Sequence, residues 1–401
     1  MTARLQHKNL VLGVSGGIAA YKAVELLRLY TRAGAGVRVV MTKNAQWFVG
    51  VTTCEALSGR PVTVDLFEEG DETSIRHIDW ATEADAVIIA PATANIIGKL
   101  ANGIADDALS TFLMAVTSPK IVCPAMNTHM FESLPVQRNL ETLRSDGCIV
   151  VEPDAGSLAC GTVGPGRLPA PEDILDRTIA ALTPKDLDGK RVLVTAGPTR
   201  EYIDPVRFIS NPSSGKMGYA IARAAEHRGA VVSLVSGPVS LQPPLNVEVV
   251  PTESAAEMAE KALDLAQQSD IIIKTAAVGD FRPRSATDQK IKKTGKGMTL
   301  ELEPNVDILK ELGQQKGSRI LVGFAAETQD LEANAGKKLK GKNLDMIAGN
   351  LIGSTDSGFE ADTNKVTLFY KDGSSESLPL MEKDAVAHQL LDRIVRLLKQ
   401  S

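Results

Sequence analysis

The sequence predicts an α/β protein with two doubly wound, mainly parallel sheets in tandem, the second finished by a β-hairpin and a helix. Three observations carry that prediction. Short β-branched runs bounded by Gly or Pro, as in fully buried parallel strands, recur along the 401 residues. Longer helical stretches separate them, and this alternation implies right-handed βαβ units. The pattern pauses once, in the polar stretch Thr183-Pro184-Lys185-Asp186-Leu187-Asp188-Gly189-Lys190, and then restarts.

In the first half, Asn9–Val14 reads as a strand and Ala19–Ala33 as the helix after it. Val37–Met41, Ala86–Ala90, Ile121–Cys123 and Ile149–Val151 are further short apolar strands. After the pause, Arg191–Ala196 is a strand, Met217–His227 a helix and Val231–Ser236 a strand. Ile271–Thr275, Ile320–Ala325 and Met346–Ala348 follow. Lys365–Tyr370 and Ser375–Leu380 flank Lys371-Asp372-Gly373-Ser374, a hairpin with a Gly-containing turn. The last helix, Lys383–Lys399, spaces Val386, Leu390, Ile394 and Leu397/Leu398 along one face. The expectation is two Rossmann-like domains, residues 1–185 and 189–401.

Composition narrows the function. Hydrophobic residues are 43% and charged residues 23%, an ordinary globular balance that excludes wholesale disorder. Aromatics are 4% and the net charge is −5, so neither a base-stacking platform nor a broad cationic surface for nucleic acid or acidic lipid is expected. The four cysteines form no C-x-x-C pair, which argues against zinc and disulfides and suits a reducing cytoplasm. Met1–Asn9 is polar and leads straight into a strand, so no signal peptide is expected. No apolar run reaches the ~18 residues that a membrane span needs.

In the first half, Val11-Leu12-Gly13-Val14-Ser15-Gly16-Gly17-Ile18-Ala19-Ala20 runs from strand into helix, where backbone N–H groups approach an anion. The spacing is not G-x-G-x-x-G, and Thr42 and Lys43 stand where a dinucleotide ribose usually meets an acid. A mononucleotide phosphate is favoured; a plain tight turn is the bland alternative. Pro91–Asn95, Pro124–Met130 and the loop Asp154–Leu168 lie at other strand ends, the ligand edge of an open sheet. In that last loop Gly156, Gly161, Gly164 and Gly166 surround Cys160, the composition of a mobile flap carrying a thiol. Cys54, Cys123 and Cys148 lie in or beside apolar segments and read as small buried hydrophobes. His77 precedes a helix; a lone His is more often structural, though its near-neutral pKa suits a base.

In the second half, Ser213-Ser214-Gly215 precedes a helix and suits an anion or a simple N-cap. Lys290, Lys292, Lys293 and Lys296 cluster, as do Lys337, Lys338, Lys340 and Lys342, which in an acidic chain suggests a triphosphate, with solvated surface runs as the alternative. The segment Lys274-Thr275-Ala276-Ala277-Val278-Gly279-Asp280-Phe281 ends another strand and places Asp280 at the ligand edge, where its carboxylate suits a nucleotide or Mg²⁺.

Two resemblances follow. GVSGGIAAYK, HID, PATAN, PAMN-x-x-M and LACG-x-x-G-x-GRL, in order over residues 8–180, resemble the flavin-containing cysteine decarboxylases, closest to those of coenzyme A synthesis. The resemblance implies FMN at Ser15, Gly16, Gly17, Ile18 and Ala19, with Thr42, Phe48, Thr93, Ala94, Asn95, Ile96 and Ala125 around it. It implies His77 as the base, Asn127 holding the substrate carboxylate and Cys160 as the acid, in an oxidative decarboxylation and re-reduction without net redox change. Trp80 departs from the smaller aliphatic residue usual in these relatives.

DPVRFISN-x-SSGKMG, AAVGDFRP, KIKK, GFAAET and K-x-x-x-KNLD over residues 190–400 resemble the phosphopantothenate–cysteine ligases. That resemblance implies CTP contacts by Lys274, Thr275, Ala276, Asp280, Lys290, Asn305, Val306, Asp307, Ile308, Phe324, Lys338 and Lys342, with Asn211 stabilising an acyl-nucleotide intermediate and Mg²⁺ on the phosphates. Val306 stands where relatives often have Pro. The resulting expectation is a cytoplasmic bifunctional enzyme of coenzyme A synthesis that acts on small molecules as a homo-oligomer, with the flavin site shared between subunits. A two-domain NAD(P)-dependent dehydrogenase is the alternative, and the missing ribose acid counts against it.

Overall fold

A computed structural model describes residues 5–65, 76–157, 161–293, 298–327, 329–351 and 361–400. The chain divides into two units, Met1–Thr183 and Pro184–Ser401.

The first unit runs β1 (Asn9–Val14), α1 (Ala20–Arg32), β2 (Gly36–Met41), a 3₁₀ turn at Lys43–Trp47, α2 (Val51–Ser58), α3 (Arg76–Glu83) and β3 (Ala86–Ala92). Next come α4 (Ala94–Ala101), α5 (Ala108–Ala115), β4 (Lys120–Pro124), α6 (Thr128–Phe131), α7 (Leu134–Ser145) and β5 (Ile149–Val150). The hairpin β6 (Asp154–Ser157) and β7 (Val163–Arg167) and helix α8 (Pro171–Leu182) complete it. The main sheet is parallel in the order β2-β1-β3-β4-β5. Alternate residues of each strand feed opposite cores, as the pleat requires. Leu10, Leu12 and Val14 of β1 pack with Leu26 and Leu27 of α1 and Ile174 of α8. Val11 packs on the other face with Ile97 of α4 and Leu109 and Phe112 of α5. In α1 the buried Ala23, Leu26, Leu27 and Tyr30 repeat at helical spacing, and the Tyr30 hydroxyl bonds Thr178 Oγ1 of α8 at 2.7 Å.

The second unit runs β8 (Arg191–Ala196), β9 (Arg200–Asp204), β10 (Arg207–Ser210), α9 (Lys216–His227), β11 (Val231–Ser236), β12 (Glu248–Pro251), α10 (Ala255–Ala266) and β13 (Ile271–Lys274). Then come β14 (Phe281–Pro283), β15 (Leu302–Pro304), α11 (Ile308–Gln314), β16 (Ile320–Glu327), α12 (Leu331–Gly341) and β17 (Met346–Leu351). β18 (Thr363–Asn364), β19 (Thr367–Tyr370), β20 (Ser375–Ser377), β21 (Met381–Glu382) and α13 (Lys383–Gln400) end it. The eight-stranded sheet has the order β12-β11-β8-β13-β16-β17-β19-β20. It is parallel up to β17, and the predicted hairpin β19–β20 closes its edge antiparallel.

Both orders reverse direction beside the first strand of the unit, and such a switch point opens a crevice at the carboxyl ends of the strands. The structure corrects one local expectation. The Asp154–Leu168 segment is not simply an irregular flap: its described residues form the antiparallel pair β6–β7.

Candidate active sites

In the first unit the crevice lies between the loops after β1 and β3. Ser15, 1% exposed, fastens them: its Oγ donates to the Pro91 carbonyl at 2.7 Å, accepts the Thr93 N–H at 3.0 Å and lies 3.1 Å from Thr93 Oγ1. Gly16 is packed against the 3₁₀ turn, where a Cβ would sit 2.5 Å from Asn44 Cβ and 2.7 Å from its carbonyl carbon. Above these loops is a cavity of about 950 Å³. Of the residues expected around a flavin, Ser15, Gly16, Gly17, Ile18, Ala19, Thr42, Thr93, Ala94, Asn95 and Ala125 line it. Phe48 and Ile96 do not: Phe48 is exposed, and the Ile96 side chain is in the core, so only its backbone can face a ligand.

Asn127 lines the same cavity. Its side chain caps α6 by accepting the His129 N–H at 2.9 Å, while Nδ2 donates to Thr162 Oγ1 at 3.4 Å, towards the β6–β7 hairpin. The hairpin docks through the Met126 N–H, which donates to the Gly166 carbonyl at 2.9 Å. Gly166 has φ +131°, and a Cβ there would lie 2.3 Å from the Met126 oxygen, so only glycine allows this approach. Cys160, between β6 and β7, lies outside the described residues, as does the side chain of His77 near the start of α3. The unusual Trp80 has its ring under the Arg38 guanidinium, 4.6 Å away, a cation–π contact beside the core.

A flavin phosphate fits this site on two structural grounds. The loop offers backbone N–H groups at the start of α1, and Thr42 Oγ1 is buried without a hydrogen-bond partner. Sequence reasoning missed Lys22, Lys99, Asp107 and Arg167 on the cavity wall. Lys22 Nζ donates to the Leu168 carbonyl at 3.0 Å, and burial, then Arg167, lower its pKa. Lys99 is held by Asp106 and Asp107, both at 2.6 Å. Lys22 and Arg167 stand inside the GVSGGIAAYK and LACG-x-x-G-x-GRL motifs without a role of their own, and Lys99 and Asp107, as isolated charges, gave no signal. Burial raises the thiol pKa of Cys54, Cys123 and Cys148, most strongly for the fully buried Cys123, which keeps them inert.

In the second unit the loops after β8 and β13 meet in the same way. The Ala277 N–H donates to the Gly197 carbonyl at 2.9 Å, and Thr275 Oγ1 donates to the Thr195 carbonyl at 2.6 Å. A cavity of about 380 Å³ lies there, lined by Asn211, Lys274, Thr275, Ala276 and Phe324 among the expected residues. Asn211 is aimed by its Nδ2, which donates to the Val278 carbonyl at 3.0 Å. Lys274 Nζ donates to the Ala276 carbonyl at 2.8 Å. Burial, then the neighbouring Lys342, lowers the Lys274 pKa to about 8.

The other expected residues lie beyond that cavity. Asp280, Lys290, Val306 and Asp307 are exposed. Asn305 Nδ2 donates to the Gly279 carbonyl at 2.8 Å, and Ile308 is a core side chain at 2% exposure. Lys290, Lys292 and Lys293 of the first lysine cluster are exposed, whereas the second cluster is not simply a solvated run. Lys338 pairs with Glu327 at 2.6 Å and Lys342 with Asp307 at 2.7 Å; Lys296 lies outside the described residues. Among the described residues no group of three or more His, Cys, Asp or Glu could hold a metal, so Asp280 has no such company. Neither β2 nor β11 runs into an acid: Thr42 follows one and Gly237 the other.

The family profile described as Flavoprotein matches residues 2–183, and that of the DNA/pantothenate metabolism flavoprotein C-terminal domain matches 187–398. The coenzyme A biosynthesis bifunctional protein CoaBC of Bacillus subtilis is 53% identical over 99% of both chains. The chain belongs to this CoaBC family. The Escherichia coli CoaBC is 46% identical over 98% of this chain and 97% of its own. A crystal structure of the C-terminal domain of a CoaBC protein is 47% identical, covering 54% of this chain and 100% of that one, with a TM-score of 0.47. No described helix is long and apolar enough to cross a membrane.

Proposed function

We propose that the chain catalyses two consecutive steps of coenzyme A biosynthesis. The second unit joins 4′-phosphopantothenate to L-cysteine at the expense of CTP. The first decarboxylates the product to 4′-phosphopantetheine. The supporting observation is that each unit carries a crevice at its sheet switch point, lined in the first unit by most of the expected flavin residues and by Asn127, and in the second by Asn211, Lys274, Thr275, Ala276 and Phe324. We assign residues 1–185 to the decarboxylase and 189–401 to the ligase, in a cytoplasmic homo-oligomer. Ile18, Tyr21, Trp47 and Phe48, exposed on and near the flavin loop, support a second subunit at that site.

In the ligase half, the substrate carboxylate attacks the α-phosphorus of CTP and pyrophosphate leaves. The cysteine amine then attacks the acyl carbon, expels CMP and loses a proton. To the amide of Asn211, which lines this cavity, we assign the steadying of the acyl-cytidylate. Lys274 offers positive charge to the phosphates, with Lys290, Lys338, Lys342 and Mg²⁺ neutralising the remainder.

In the decarboxylase half, Ser15–Ala19, Thr42 and Thr93–Asn95 would hold FMN, which supplies a two-electron sink and source. Asn127 orients the departing carboxylate. His77 takes a proton and Cys160 returns one to carbon. The Gly166 contact seats the described part of the β6–β7 hairpin against Met126 at the cavity wall.

The test is mass spectrometry of one mixture of protein, 4′-phosphopantothenate, L-cysteine, CTP and Mg²⁺. 4′-Phosphopantetheine with CMP and pyrophosphate is expected. Accumulation of phosphopantothenoylcysteine alone would refute the decarboxylase assignment. No product with either CTP or ATP would refute the ligase assignment.

A further inference from the structure

The DPVRFISN segment places Asp204 at the end of β9, Arg207 at the start of β10 and Asn211 directly after β10. Asp204 is 1% exposed, and a carboxylate so buried needs donors on both oxygens. The two oxygens have separate duties. Oδ1 closes the β9–β10 turn by accepting the N–H groups of Val206 and Arg207, each at 2.8 Å. Oδ2 reaches a second segment: it accepts the Ile291 N–H at 3.1 Å, together with Arg207 Nη1 at 3.2 Å. Arg207 Nη2 completes the ring by donating to the Ile291 carbonyl at 3.3 Å. One ion pair thus holds both backbone polar groups of Ile291. The Thr287 N–H adds a further tie to the same strand, donating to the Ile203 carbonyl at 3.1 Å. Residues 284–293 form no strand or helix, and Lys290 and Lys292, on either side of Ile291, are exposed. Closing the turn requires only Oδ1. The second oxygen is committed to the lysine-bearing segment.

We propose that Asp204 is a positioning residue for the ligase reaction: through Oδ2 it fastens the backbone beside Lys290 and holds that lysine ready for the nucleotide phosphates. The inference rests on the ligase reading. A lysine on irregular chain must be ordered when it meets a phosphate, and a backbone fastened beforehand has already lost that freedom. The hairpin that carries the clamp also ends in Asn211, so the group assigned to the acyl-cytidylate and the lysine assigned to the triphosphate are referred to one element. Burial works against the charge of Asp204, but the N–H groups of Val206, Ile291 and Arg207 outweigh it and hold the carboxyl below its ordinary range. The clamp is therefore ionised at neutral pH.

The test centres on Asp204→Asn. Asparagine keeps an oxygen for Val206 and Arg207 and turns an NH₂ towards the Ile291 N–H, donor against donor, so the turn is kept and the clamp is lost. CMP release by the unmodified chain is measured first and decides the ligase reading separately. At saturating 4′-phosphopantothenate and cysteine, the variant should lower kcat/KM for CTP by about 5- to 30-fold, the cost of ordering one backbone residue on binding, and by no more than Lys290→Gln does. KM for cysteine should stay within about twofold. Trypsin cleavage after Lys290 and Lys292 in the folded protein should quicken by about fivefold or more. Adding Asp204→Asn to Lys290→Gln should cost less than about twofold further, because the clamp then has no lysine to hold. Ile291→Pro removes the N–H that Asp204 accepts without touching the hairpin, and should repeat the loss. Additive losses in the double variant would reduce Asp204 to a structural role and overturn the proposal. Unchanged cleavage, or a Lys290→Gln variant with unaltered use of CTP, would overturn it equally.

Discussion

The clearest handle on the flavin site is Gly16→Ala. The added methyl would stand 2.5, 2.7 and 2.8 Å from Asn44 Cβ, C and O. Real Cβ atoms essentially never come within 3.0 Å of such atoms, and two of these three are backbone. Either the Ser15–Ala19 loop or the Lys43–Trp47 turn must therefore retreat by roughly an ångström. Overpacking of this kind costs about 1–3 kcal/mol. Both segments line the flavin cavity, so the displacement falls on the cradle itself. At about 1.4 kcal/mol per tenfold, the flavin dissociation constant should rise roughly 5- to 150-fold. The assay is titration of apoprotein with FMN, followed by flavin fluorescence. Decarboxylation of supplied phosphopantothenoylcysteine should fall in step at limiting FMN, while CTP-dependent CMP release continues. Flavin affinity within twofold of the unmodified chain would refute the reasoning, because the contact would then have relaxed without cost.

The remaining predictions concern the second unit. Asn211→Asp should impair CMP release and leave decarboxylation of supplied phosphopantothenoylcysteine within about twofold; a parallel fall in both activities would contradict the division of labour. The free protein's Lys274, with its pKa lowered to about 8, loses charge as pH rises through that value. Ligation kcat/KM for CTP should accordingly decline above about pH 8, and Lys274→Arg should remove that limb. Arg228 is buried, with Nε donating to Asp186 at 2.7 Å and Nη1 to Asp392 at 2.7 Å. Arg228→Met should destabilise the chain by about 1–3 kcal/mol in denaturant titration, between the values for exposed and for fully buried pairs because both carboxylates are partly exposed. Arg228 holds the Asp186 carboxyl below its ordinary range. That stabilisation is present at neutral pH and lost as acid protonates Asp186, so the variant should also show a shallower acid limb.

Much of the scaffold was legible because buried parallel strands announce themselves. Asn9–Val14, Arg191–Ala196 and Val231–Ser236 are apolar runs with the bounds the sequence suggests. The pairs β6–β7, β9–β10, β14–β15 and β18–β21 were not legible: they are two to five residues long, and several carry Gly, Pro or charge in place of an alternating apolar face. The flavin loop could be read because it is contiguous. The fastening of Ile291 by Asp204 could not, since the two lie 87 residues apart. Lys338 and Lys342 were legible as a cluster, but their partners Glu327 and Asp307 sit on other elements and emerge only when the sheet is assembled.

The margins of the two sheets bear on colloidal behaviour. β5 has two residues, β20 is the polar triplet Ser375-Glu376-Ser377, and β12 ends in Pro251. β2 is shielded along its outer side by Thr63, which exchanges backbone bonds with Met41 and Val39 at 2.8 and 3.1 Å. None of these margins offers a long, flat ladder of unpaired amides to a neighbouring chain. Copies of the protein would therefore associate through side-chain faces rather than by extending a sheet. Edge-to-edge fibre growth is disfavoured by geometry, although a net charge of −5 on 401 residues provides little electrostatic repulsion.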